Sequence, residues 1–449
     1  MERLVYIVHA IDTEGPLYES IEATFERLNT IFGCDLGPSY ENLEKIRNKQ
    51  IDLNGNEESA KDIFSKERGH CHATWDQIDE MLDVITSDDF RCGVKDSFGG
   101  GWVYNWFCLD HAGISGLNPR RRDMGYHNVQ DHYRDYVQRK KDGRDLIQWH
   151  YHALSITNDA HRAGSTYLNS DHIYNILTRK IIDRNWFPAS FRPGHHTERP
   201  DAHFFLEQWI PFDYGNDSAD RKKSGPDISQ ARYGDWRRAP RSWIPYHPAH
   251  DDYQAVGNCR RYIARCLPID ERSYQISQKD VMQAFDEAEK KGAAILSFTG
   301  HDFRDMKPGV ESMRQLIRKC SEQNKGIKYK YANAIEAMRG VLGVDAGDEI
   351  GFNVQIKKFK THSRLMVESG NNIFGPQPFL ALKTKGNGYY WQNFDFEGHN
   401  TWSYSFDSGN IWIDQISNIG IAANNNSGLT EVVNIDVDNK QHKKYVLNR

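Results

Sequence analysis

The chain has 449 residues, with 57 Lys+Arg against 62 Asp+Glu and a formal net charge of −5. Charges of both signs are mixed along the whole length, which argues against a nucleic-acid-binding protein. No stretch approaches the roughly 20 apolar residues of an integral membrane segment, and 12% aromatic residues are too many for a disordered chain.

Met1-Glu2-Arg3 runs straight into Leu4-Val5-Tyr6-Ile7-Val8, an apolar run too short for a secretory signal. A buried strand is expected from Leu4 to Ile11, ending in Asp12-Thr13-Glu14-Gly15-Pro16. A helix follows, because Ile21, Phe25, Leu28 and Phe32 share one face and Gly33 is a natural stop. Residues 34–72 are polar and read as an insertion with one helical piece near 40–50; His70-Cys71-His72 in it suggests a loop or a substrate-facing segment. Thr74 to Gln77 is a capping-box signature ahead of the stripe Ile78, Met81, Leu82 and Ile85. After the turn Gly99-Gly100-Gly101, a strand runs from Trp102 to Leu109 and ends in Asp110-His111. Residues 112–130 form a second insertion, in which Arg120 to Arg122 read as a solvated charge run.

A helix near 128–141 leads to a strand from Leu146 to His152. Ser170 caps a helix with Ile173, Ile176, Leu177 and Ile181 inward, and a strand from Phe187 to Phe191 ends in Arg192-Pro193-Gly194. A short helix near 200–208 precedes a strand from Trp209 to Tyr214, and residues 219–250 are a proline-punctuated loop. Ser277 to Asp280 opens the next helix, and a strand from Ala293 to Phe298 ends in Gly300-His301-Asp302. A helix carrying Met313, Leu316, Ile317 and Cys320 follows; a strand from Ile327 to Tyr331 and a helix from Ile335 to Leu342 complete the series.

This alternation predicts an α/β fold: a parallel sheet with helices outside, closed into a barrel spanning residues 1–345. From 346 to 449 the helical periodicity stops, and short alternating runs broken by Gly and Asn predict an all-β, sandwich-like domain. Seven scattered cysteines without a C-x-x-C pair argue against a disulfide framework, and with the absence of a signal-like start the expected setting is the reducing cytoplasm.

The predicted strand ends carry the chemistry: Asp12 and Glu14, His150 and His152, Arg192, Asp213 and Asp217, and His301. In an α/β barrel these ends form the catalytic rim. Residues two apart on a strand point to the same side. Two imidazoles and a carboxylate then suit a divalent metal, zinc above all. A leftover carboxylate and a leftover His suit a general base and a general acid.

The motifs Ile11-Asp12-Thr13-Glu14-Gly15-Pro16, Trp149-His150-Tyr151-His152, Phe191-Arg192-Pro193-Gly194 and Phe298-Thr299-Gly300-His301-Asp302 stand in the order seen in the polysaccharide deacetylase superfamily. The chain resembles that family over about residues 1–345, with D-x-E in place of adjacent acids and H-x-H in place of more widely spaced histidines. The resemblance implies a distorted (β/α) barrel, from which this chain departs by its large loop insertions. It also implies Asp12 as base, positioned by Arg192, with Glu14, His150 and His152 as metal ligands and His301 as acid.

Asp213 and Asp217 are candidates to bind sugar or tune His301, and His196 is a candidate substrate contact. Trp236 and Trp243, with Tyr246 and His247, either wall a carbohydrate cleft or pin the long loop to the barrel. The expected function is removal of an N-acyl group from a sugar in a glycan, or in a nucleotide- or lipid-linked precursor. Hydrolysis of another C–N amide bond, or a silent glycan-binding barrel, are the alternatives.

Overall fold

Strand β1 (Leu4–Thr13) is the hub of the molecule, paired with three other strands. The computed structural model describes residues 3–18, 20–65, 71–111, 127–140, 143–153, 167, 172–219, 234–270 and 274–449. Six further strands complete the ring: β2 (Tyr104–His111), β3 (Leu146–His152), β4 (Ser190–Pro193), β5 (Phe212–Asn216), β6 (Tyr262–Pro268) and β7 (Ala293–His301). Each pairs in parallel with the next, and β7 returns to β1 in register from Leu4↔Ala293 to Asp12↔His301. The result is a closed seven-stranded parallel barrel. An eighth strand, β8 (Lys328–Tyr331), pairs with Leu4 to Ile7, while β2 takes His9 to Thr13.

Helices α1 (Ile21–Phe32), α2 (Tyr40–Arg47), α3 (Glu57–Ile63), α4 (Trp75–Ile85) and α5 (Asp88–Cys92) lie between β1 and β2. The first insertion therefore holds two helices, α2 and α3, rather than one. With α1 they make a small core of Phe25, Leu28, Leu43, Ile46, Ala60 and Phe64. Next come α6 (Asn128–Lys140), α7 (His172–Arg184), α8 (Pro200–Trp209), α9 (Gln278–Lys291), α10 (Lys307–Gln323) and α11 (Ala334–Leu342). Among the described residues no helix is long and apolar enough to cross a membrane.

The lower half of the barrel is sealed. Val8, Ala10, Phe107, Phe212, Ala264, Cys266 and Ile295 share one apolar cluster with Ile335 and Met338 of α11. The Tyr214 hydroxyl ties the same helix down by donating to the Ala334 carbonyl at 2.6 Å. Polar side chains of the inward rows are left for the upper rim.

The C-terminal strands are β9 (Phe352–Lys358), β10 (Ser363–Ser369), β11 (Phe379–Thr384), β12 (Tyr389–Gln392), β13 (Asp395–Gly398), β14 (Thr401–Phe406), β15 (Ile416–Asn424), β16 (Thr430–Asp436) and β17 (Gln441–Leu447). They form two antiparallel sheets, ordered β13-β14-β10-β9 and β12-β11-β15-β16-β17. Leu365, Val367, Leu380, Leu382, Ile419 and Ile421 fill the space between them. The expected division at 345–346 lies between the end of α11 and the start of β9.

The outer face of the five-stranded sheet packs on the barrel. Phe379, Ala381, Ala422 and Val432 form one cluster with Ile173, Ile176, Leu177 and Ile181 of α7 and with Phe205 and Trp209 of α8. Gly420 allows the close approach, since a Cβ there would lie 2.5 Å from Ile181 Cγ2. Asn424 Nδ2 donates to the carbonyls of Pro188 at 2.8 Å and Trp209 at 2.7 Å. Phe379→Ala is expected to cost about 3–5 kcal/mol, measured by urea unfolding followed by circular dichroism.

Candidate functional site

The upper rim collects the polar ends of the inward rows. From β1 come Asp12 and the following Glu14, from β3 His150 and His152, from β4 Arg192, and from β7 His301. Glu14 Oε1 lies 3.8 Å from His150 Nε2 and 3.5 Å from His152 Nε2. The two Nε2 atoms are 3.0 Å apart. Ligands about 2.0–2.2 Å from a tetrahedral ion lie about 3.3–3.6 Å from one another; the three separations bracket that range, so shifts of a few tenths of an ångström would fit this donor set to a divalent cation of the zinc type. Among the described residues it is the one such His/Cys/Asp/Glu cluster.

Arg192 organises the rest. Its guanidinium is fully buried and grips Asp12 twice, Nε to Oδ1 at 2.6 Å and Nη2 to Oδ2 at 3.0 Å. Nη1 donates to the Tyr214 carbonyl at 2.7 Å. The Arg192 carbonyl faces His150 Nδ1 at 3.0 Å. A carbonyl can only accept, so Nδ1 carries the proton, and the Nε2 lone pair points to the place that Glu14 and His152 also face. Burial lowers the His150 pKa to about 4 despite the pull of Asp12, which keeps the ring neutral. Burial alone would raise the Asp12 pKa, but Arg192 and then His150 hold it well below the usual carboxylate range.

His301 stands opposite Asp12 in the β1–β7 register. Its Nδ1 lies 3.4 Å from Asp270 Oδ2. Burial works against the charged ring, but Asp270 first and Asp12 next outweigh it, and the His301 pKa is raised. Asp270 follows β6, a strand that the sequence pattern does not reveal. Asp302 is a second partner that sequence reasoning misses. It accepts from the backbone of Glu14 at 2.7 Å and Gly15 at 2.9 Å, and from the Tyr133 hydroxyl at 2.8 Å.

Two glycines are required here. Gly15 has φ +69° with the Trp75 ring 2.8 Å from where a Cβ would stand. At Gly194 a Cβ would lie 2.2 Å from His152 Cδ2. The next residue, His195, packs its ring on His152 with centroids 4.7 Å apart, and both His195 and His196 adopt φ of 51°.

The expected substrate residues are buried. Asp213 is fully buried, with its Oδ2 3.3 Å from Arg261, which also holds Glu198 at 2.7 Å and Glu207 at 3.2 Å. It belongs to an internal charge cluster and offers no surface to a sugar. Asp217 and His196 are buried too, 3.9 Å from each other. Trp236 donates its Nε1 to the His196 carbonyl at 2.7 Å, and Trp243 donates to the Asp280 carbonyl at 2.9 Å. With their N–H groups satisfied, both rings are buried and pin the loop to the barrel, so they form no sugar-facing wall. His70, Arg120 to Arg122, the expected cap Ser170, and residues 220–233 of the long loop lie outside the described residues.

No protein-family model and no curated protein matches the chain. In a zinc titration, Gly194→Ala is expected to displace His152 and weaken binding about 10–100-fold, with thermal unfolding near that of the parent. Unchanged affinity would remove His152 from the ligand set.

Proposed function

We propose that the chain is a metal-dependent hydrolase that removes an N-acyl group, most simply acetyl, from a sugar in a glycan or a nucleotide- or lipid-linked precursor. The observation that carries this reading is the Glu14–His150–His152 triangle beside a clamped carboxylate and a charge-supported imidazole. The choice of an N-acyl sugar comes from the motif resemblance. Seven free cysteines fit a cytoplasmic setting.

A divalent ion held by Glu14, His150 and His152 would bring the pKa of a water molecule to near 7 and polarise the acyl carbonyl. Asp12, ionised and fixed by Arg192, takes a proton as the water oxygen adds to the acyl carbon. The C–N bond then breaks, and His301 supplies the proton that the leaving nitrogen needs. Asp12 gives its proton to solvent and His301 takes one back, which restores both groups. The products are a carboxylic acid and an amine, which ionise in water.

Acetate release from a panel of N-acetylated sugar precursors tests the proposal. Release should stop with a chelator and return with added zinc. His301→Ala should keep zinc and lose about 10²–10⁴-fold in turnover; a parental rate would remove the acid role. No release from any precursor, with glycan binding intact, would favour a silent barrel.

The pH profile gives a separate check. His301 must be protonated to act, so activity falls as pH rises through its raised pKa. Asp270→Asn removes the anion that supports the charged ring. The alkaline limb of kcat/KM should therefore move to lower pH, and an unmoved limb would contradict the pairing.

A further inference from the structure

A second concavity of about 720 Å³ opens at the opposite end of the barrel. Its walls include Tyr262 at the start of β6, Leu342 at the end of α11, the 372–376 loop and the β13–β14 hairpin. The length of β6 separates it from the rim by roughly 20 Å at about 3.3 Å per residue. Its volume falls in the range of about 300–1,000 Å³ usual for ligand pockets.

The walls are fixed. Gly375 sits against α8 so closely that a Cβ would lie 1.6 Å from the Gln208 carbonyl oxygen. The Phe374 N–H donates to the Asn424 carbonyl at 2.7 Å, and Trp402 Nε1 donates to the Pro376 carbonyl at 3.1 Å. Phe396 nevertheless remains 64% exposed at the edge of the cavity.

Among the described residues the lining holds no Asp or Glu, although the chain has 62 of them. It does hold Arg260, His247 and His399. Among the described residues, the Arg260 guanidinium makes one long hydrogen bond, to the Glu207 carbonyl at 3.5 Å. Asn400 Nδ2 donates to Asn372 Oδ1 at 3.1 Å, which leaves the other half of each amide for a ligand.

We propose that this groove binds an acidic saccharide, a short glycan stretch carrying a carboxylate. Rings cover the apolar faces of sugars, and amides take hydroxyls. A guanidinium takes a carboxylate through two parallel bonds. A polyphosphate fits less well, because the helix end in the lining is a C-terminus, the negative end of the dipole. The proposal concerns binding alone and does not depend on the chemistry at the rim.

Calorimetric titration of the full chain with tetragalacturonate and with 3′-sialyllactose tests it, with maltotetraose, which has no N-acyl group, as the neutral probe. At least one acidic probe should bind, at least ten-fold more tightly than maltotetraose. Arg260→Gln and Phe396→Ala, both at exposed positions, should each weaken that binding at least ten-fold without changing thermal unfolding, and Glu14→Ala should not weaken it. No binding of either acidic probe, equal binding of maltotetraose, or parental affinity in both groove variants would overturn the proposal. Loss of binding in Glu14→Ala would place the saccharide at the rim and overturn it as well.

Discussion

The rim depends on one buried cation. Arg192 has no exposed surface, and a guanidinium in that position must be paired. Its side chain locks Asp12 on β1 and the main chain of Tyr214 on β5, while its own carbonyl sets the tautomer of His150 on β3. One residue thus ties four strand ends together. The side chain holds a carboxylate ionised, and the main chain fixes which nitrogen of a neutral imidazole is left to bind.

The barrel makes room for this polar group by filling its other end. The apolar inward residues meet α11 below, so the polar members of the same rows fall at the top. Asp302 and Asp270 then act from behind the rim. One fixes the backbone that presents Glu14, and the other supports the charge on His301.

Much of this is legible in the sequence because a strand repeats every two residues. Asp12 with Glu14 and His150 with His152 are pairs at that spacing, and each pair does meet at the rim. Strand β6 is not legible, because Arg265 interrupts its apolar run; in the fold that side chain lies over the Trp243 ring and donates to the Ser218 carbonyl. Asp270 is lost with the strand that leads to it. Trp236 and Trp243 look alike in sequence whether they face a ligand or the interior, and only the carbonyls that accept their N–H groups decide between the two. The need for glycine at 194 depends on a ring from β3 and has no local signal.

Everything proposed for the rim requires Glu14, His150 and His152 to hold one divalent ion while Asp12 stays on Arg192. Anomalous diffraction at the zinc edge, from crystals grown with zinc, tests this most directly. One peak is predicted about 2.0–2.2 Å from Glu14 Oε1 and from the Nε2 atoms of both histidines, with the Asp12–Arg192 pair intact. No peak at that point, or a peak bound by Asp12 after release from Arg192, would contradict it.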